Sequence, residues 1–335
     1  MNVYGAVLCA GFGTRMRPLT DVLPKPLLPF LNTPIVTYAL QLLAEANVTR
    51  VALNLHHLPD TIPLVVDLLA PRLGVSPVYA REWDILGTAG GVAGQWAALG
   101  RPEGVLVVLN GDSVTDVELG PIIEAHIASG AGVTLVTRPK TEGQPGRVFL
   151  DAHGNLAGIR DYRSGAAVAS EVEFTGIHIL SSTVLSRLSI EFGDIVDELY
   201  GPMVAAGDTI RSHTVGGFWA ALDTPQLLFD TSLAVMADPS AFRLAPLEIT
   251  ESERLWIYGP DGIDGAAQFA APVFLGMNVQ AAAGAQIGPN VVMDGTEVAS
   301  GTRVRNAIIY GAGRIEGQWE NLVCVAGKTA TIQGA

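Results

Sequence analysis

Four short apolar runs, Val3–Cys9, Val51–Leu55, Val105–Leu109 and Val133–Thr137, are rich in β-branched residues and nearly free of polar positions, as strands buried on both faces are. Segments with helical spacing separate them. One opens with Thr33 as N-cap and Pro34 at the first helical position and runs to about Ala46. Others cover Pro59–Leu69, Thr88–Leu99 and Leu119–Ser129. This alternation predicts an α/β fold, a doubly wound and mostly parallel sheet with helices on both faces. Ligands of such sheets bind beyond the carboxyl ends of the strands, which directs attention to the residues after Cys9, Leu55 and Leu109.

Past about Ala237 the pattern changes. Val273, Val279, Ala285 and Val291 recur every six residues; Val298 and Val304 resume the step after one slip, and Ile309 and Ile315 form a further pair. With Gly276, Gly288, Gly295 and Gly301 between them, this period predicts a short parallel β-helix. The expected division is residues 1–238 as the catalytic domain, 239–265 as a linker and 266–335 as the β-helix. A stack of this kind offers an assembly surface, so a homo-oligomer formed through it is expected.

Composition narrows the function. Hydrophobic residues make up 49% of the 335 and charged ones 16%, enough for packed cores. The net charge of −13 would be repelled by a phosphate backbone, so no nucleic-acid partner is expected. Cys9 and Cys324 form no CxxC and no disulfide framework, which fits a reducing cytoplasm. Met1–Cys9 has no basic flank and too short an apolar run for a signal peptide. Residues 265–293 carry no charge, but Gly, Pro, Gln and Asn interrupt them, so no membrane span is expected.

The first apolar run leads straight into Ala10-Gly11-Phe12-Gly13-Thr14-Arg15-Met16-Arg17-Pro18-Leu19-Thr20, followed by Pro24-Lys25-Pro26-Leu27. Glycines let backbone N–H groups close around an anion. Arg15, Arg17 and Lys25 against Asp21 give the first 30 residues a local +2 in a chain otherwise at −15. Cations concentrated on a glycine loop at a strand's carboxyl end suit a polyphosphate. The spacing is neither a P-loop nor a dinucleotide fingerprint, since Met16 stands where the third glycine would be.

This string resembles the signature loop of the sugar-1-phosphate nucleotidyltransferases, which join a nucleoside triphosphate to a sugar 1-phosphate and release pyrophosphate. The likeness continues in Leu86-Gly87-Thr88-Ala89-Gly90-Gly91, Leu109-Asn110-Gly111-Asp112, Phe174-Thr175-Gly176 and Trp219–Pro225. It looks closest to the mannose-1-phosphate guanylyltransferases and short bacterial relatives, among them uridylyltransferases acting on N-acetylmuramate 1-phosphate and guanylyltransferases acting on heptose phosphates. The resemblance implies a Rossmann-like catalytic sheet followed by a left-handed β-helix of hexapeptide repeats. It implies Arg15 and Lys25 as catalytic, and Ala10, Gly11, Gly13, Thr14, Arg15, Gly87 and Thr88 as nucleotide-binding. It also implies Asn110, Gly111, Thr175 and Gly176 as sugar-binding, and Asp112 as a ligand of Mg²⁺. Glu82, an acceptor for the N–H edge of guanine, joins the nucleotide set.

One position departs from the resembled pattern, Trp-x-Asp-Ile/Val-Gly-Thr-Pro. Ala221 stands at the metal aspartate and Asp223 at the glycine. Residues two apart on a strand share a face, so Asp223 is expected as the second metal carboxylate; otherwise it caps the helix starting near Pro225. Ala221 also admits a regulatory subunit that binds nucleotide-sugar without turnover. No Glu-Lys-Pro precedes Phe174, which leaves Arg160 or Arg163 to meet the sugar phosphate. His56 and His57 read as structural, and Trp83, Trp96 and Trp219 as core.

Overall fold

The computed structural model describes residues 1–141, 147–247 and 254–334, which fall into two compact units. Residues 1–11 and 36–219 form the first, residues 12–35 and 220–335 the second. Residues 248–253 of the expected linker lie outside the described residues.

The first unit is built on a sheet. β1 (Val3–Leu8) lies between β2 (Arg50–Leu55) and β4 (Val105–Asn110), with β3 (Ser76–Arg81) beyond β2, and all three pairings are parallel. The connecting helices are α1 (Ile35–Glu45), α2 (Thr61–Leu73) and α3 (Gly87–Ala98); α4 (Leu119–Ser129) leads from β4 to β5 (Val133–Pro139). Beyond β4 the sheet is mixed, which corrects the mostly parallel expectation. β6 (Ser170–Ser181) runs antiparallel to both β4 and β5, because it is reached through short strands with no crossover helix. Ala6, Val92, Trp96, Leu106, Val108 and Leu135 are all buried in one core, where Trp96 packs edge-on against Tyr4 with ring centroids 5.9 Å apart. Thr33 caps nothing: it pairs as a short strand with Phe30, its hydroxyl turns back to the Leu31 carbonyl, and the helix starts at Ile35.

In the second unit the six-residue period becomes three stacks of parallel strands. One holds residues 255–257, 273–275, 291–293 and 307–309; Val273 pairs with Val291, an 18-residue step, and the long strands Val291–Val298 and Arg303–Ile315 run on round the corners into the other stacks. Val279 pairs with Thr296 in a second stack and Gln286 with Arg303 in a third. Val273, Val279, Ala285, Val291, Val298, Val304, Ile309 and Ile315 all point into one core. The slip in the period falls at Gly295, whose φ of +60° accompanies a register shift between Asp294 and Thr296. Asn290, Asn306 and Asn321 form a side-chain ladder with bonds of 2.9 and 3.0 Å. The segment 12–35 joins this unit through Phe30, which meets Phe242, and Asn32, whose amide donates to the Met293 carbonyl at 3.2 Å.

Candidate active site

In the first unit, the strand ends are fixed by a buried polar relay. The Cys9 N–H donates to Asn54 Oδ1 at 2.7 Å, Asn54 Nδ2 donates to Glu82 Oε1 at 2.7 Å, and the Leu86 N–H donates to Glu82 Oε2 at 2.9 Å. Gln95 from α3 donates to the Val7 carbonyl at 2.7 Å, and His56 Nδ1 meets the Glu82 carbonyl at 3.1 Å. Ala10 and Gly11, just past β1, are thus tied to Gly87 and Thr88 at the start of α3. Glu82 is 6% exposed and both its oxygens serve the protein. Asn54 escaped the sequence reading, although one amide inside Val51-Ala52-Leu53-Asn54-Leu55 is the signal that marks it.

The Gly87–Gly91 segment is shaped by residues 191–195 of the same chain. The Ala89 N–H donates to Gly193 O at 2.9 Å, and the Ile195 N–H donates to the Thr88 hydroxyl at 2.8 Å. A Cβ on Gly87 would lie inside the Gly193 carbonyl, and one on Gly90 inside the Glu191 carbonyl. Gly11 differs: a Cβ there would meet nothing within 4 Å.

At the end of β4, the Gly111 N–H donates to the Leu8 carbonyl at 3.0 Å and Asn110 lies against Gly176. Burial, with the Asp112 charge adding, pushes the Cys9 thiol well above its ordinary value. The Thr175 hydroxyl donates to the Val136 carbonyl at 2.8 Å, and the Thr175 backbone carbonyl accepts the Trp219 indole N–H at 2.9 Å. Asn110 and Gly111 at the end of β4 are therefore gathered beside Thr175 and Gly176, which lie mid-way along β6 where its register shifts. Arg160 and Arg163 are engaged elsewhere. Arg160 pairs with Asp194 at 2.9 Å and with Asp197 at 3.3 Å, and Arg163 stacks on Phe149. Trp96 is core, whereas Trp83 is 83% exposed beneath the Arg81 guanidinium; it stands past the end of β3, where no helix covers it.

In the second unit, Gly13 adopts φ +60° at the start of a turn over Thr14–Met16, and its carbonyl accepts the Thr20 hydroxyl at 2.9 Å. A Cβ there would press on Thr20 and Lys25 at 2.9 and 3.1 Å, so the turn requires glycine. Lys25 Nζ lies 2.7 Å from Asp223 Oδ1, and an Arg15 guanidinium nitrogen lies 2.9 Å from the same oxygen. Asp223 does not cap the following helix. Thr224 does, its hydroxyl accepting the Leu227 N–H at 3.1 Å, because a residue directly before Pro225 takes the extended cap conformation.

A family model described as nucleotidyl transferase matches residues 4–162. Relatives of the chain are mannose-1-phosphate guanylyltransferases. The Aspergillus fumigatus enzyme is 30% identical over 240 residues, covering 68% of this chain and 64% of the relative. The catalytic subunit beta of Drosophila melanogaster is 28% identical over 221 residues, covering 66% and 59%. The chain thus spans less than two thirds of these relatives' own length. A solved structure described as a glucose-1-phosphate thymidylyltransferase from Bacillus anthracis, in complex with a sucrose, shares the fold with a TM-score of 0.58. It is 19% identical and covers 75% of this chain and 98% of that one. Among the described residues, no three His, Cys, Asp or Glu side chains cluster as a metal cage, and no helix is long and apolar enough to cross a membrane.

Proposed function

We propose that the chain transfers a nucleotidyl group from a nucleoside triphosphate, GTP foremost, to a sugar 1-phosphate, mannose 1-phosphate foremost. A sugar-phosphate oxygen attacks the α-phosphorus, the bond to the β-phosphate oxygen breaks, and pyrophosphate leaves with the electron pair. The observation that carries this reading is the loop after β1. Gly11 leaves a face that no protein atom fills, and Arg15 and Lys25 converge on a single carboxylate oxygen. Two cations held at one point suit phosphate oxygens.

In this reading the backbone of Ala10, Gly11, Gly13 and Thr14 lies along the phosphates, and Arg15 takes up charge on the leaving pyrophosphate. Lys25 holds the α-phosphate or the sugar phosphate. Gly87 and Thr88 border the nucleoside, with Glu82 setting their position, and Asn110, Gly111, Thr175 and Gly176 border the sugar. Asp112 fits Mg²⁺: it is a hard oxygen donor beside a thiol kept protonated, and magnesium is usually held by one or two carboxylates plus phosphate oxygens. The ion would neutralise phosphate charge.

The hexapeptide period supports a left-handed β-helix, with self-association through it. The functional division is 1–238 as catalytic domain, 239–265 as linker and 266–335 as β-helix. The absence of a carboxylate at Ala221 favours a second reading, a nucleotide-sugar-binding regulatory subunit. One assay separates them: pyrophosphate release measured with GTP, UTP, ATP and dTTP against several sugar 1-phosphates. Release with GTP and mannose 1-phosphate is expected. No release with any pair, alongside tight nucleotide-sugar binding, overturns the first reading in favour of the second.

A further inference from the structure

Asp223 stands two residues beyond the position where the resembled pattern has its carboxylate, and it has no capping duty. Its Oδ1 is shared by Lys25 at 2.7 Å and Arg15 at 2.9 Å. The Lys25 side chain is 8% exposed, that of Asp223 23% and that of Arg15 68%. The Lys25 contact therefore carries most of the attraction, and solvent screens the Arg15 one. An oxygen already neutralised by two cations is a poor resting place for a divalent ion, which would face both positive charges at short range.

We propose that Asp223 is a resident anion, holding Lys25 and Arg15 in the positions that nucleotide phosphates take and giving way when those phosphates arrive. The proposal rests on the reading of Arg15 and Lys25 as phosphate ligands. A near-buried ammonium is costly without a counter-charge, and the carboxylate at 2.7 Å supplies one and holds Lys25 oriented while the site is empty. It also sets a threshold. A singly or doubly charged ion gains little over the carboxylate it displaces, whereas a triphosphate or pyrophosphate brings several charges and more acceptor oxygens. Asp223 thereby discriminates polyphosphates from orthophosphate.

The test is equilibrium binding of GTP, pyrophosphate and orthophosphate to the whole chain, with EDTA and then with Mg²⁺, for wild type and Asp223→Asn. Asparagine keeps the shape and an acceptor for Lys25 but removes the charge; Asp223→Ser serves if Asn does not fold. Without metal, the variant is expected to bind GTP and pyrophosphate about tenfold more tightly. Orthophosphate is expected to gain by a larger factor, so that the preference for pyrophosphate narrows. Unchanged or weaker metal-free binding by the variant overturns the proposal. Loss of the Mg²⁺ dependence of GTP binding in the variant also overturns it, and assigns Asp223 to the metal. A wild type that binds neither GTP nor pyrophosphate under either condition overturns the phosphate-site reading itself.

Discussion

Gly11 and Gly87 carry the same side chain for opposite reasons. At Gly87 the neighbour is protein, the Gly193 carbonyl, and any Cβ forces the 191–195 segment away. Gly87→Ala should cost at least about 2 kcal/mol, seen as a lower denaturant midpoint with or without nucleotide. At Gly11 the neighbour is open space, so Gly11→Ala should leave the midpoint within about 0.5 kcal/mol of wild type while weakening GTP binding several-fold. Equal binding would remove Gly11 from the phosphate loop. Arg15, Lys25 and Asp112 stand out as candidates in the sequence, since a cation-rich glycine loop and a strand-end Asn-Gly-Asp are chemistry written locally; Asp223 is offered there only as a metal ligand or a helix cap. Asn54 does not stand out, because its partners Cys9 and Glu82 lie 45 and 28 residues away in sequence. Asn54→Ala would strand the buried Glu82 carboxylate and lose about 1–3 kcal/mol. A loss in urea unfolding below about 0.5 kcal/mol would mean that the relay does not hold the strand ends.

Among the elements, the four apolar runs and the helices after them were readable to within a few residues, because strands sealed between two helix layers need no polar positions. The antiparallel half was not readable. β6 begins with charged residues, Glu171 and Glu173, which pair with Lys140 and Arg138 at 2.5 and 2.9 Å. A strand that opens on ion pairs does not look like one sealed in a core. Its inner stretch is sealed all the same, with Ile179 and Leu180 fully buried. Leu106, buried on β4 where the parallel and antiparallel halves meet, pairs with Leu180. Leu106→Ala should cost about 2–5 kcal/mol by chemical denaturation.

For the molecule as a whole, two buried imidazoles set an acid limit. Burial holds His126 down to about 4 and His178 down to about 3; His126 Nδ1 meets the Thr134 hydroxyl, and His178 packs on Tyr200 and Phe174. Below the ordinary histidine value of about 6.5, the unfolded chain takes up protons that the folded chain refuses. Both contributions are therefore complete above that pH and shrink as it falls, to about 4 for His126 and about 3 for His178. His126→Asn should flatten the fall in unfolding free energy between pH 6.5 and 4.5 by up to about 1.4 kcal/mol per pH unit, and an unchanged slope would show that His126 titrates normally. At this same scale the six-residue period was legible as a coil, but the slip within it was only a miscount until Gly295 explained it. A wound sheet that counts residues strictly should be ruined by one missing link, since every later side chain would exchange inside for outside. By closing the shortened corner with a left-handed glycine, the coil confines the error to that corner. Lineages of such chains can then gain or lose a residue there while keeping the oily side of every later rung turned inward.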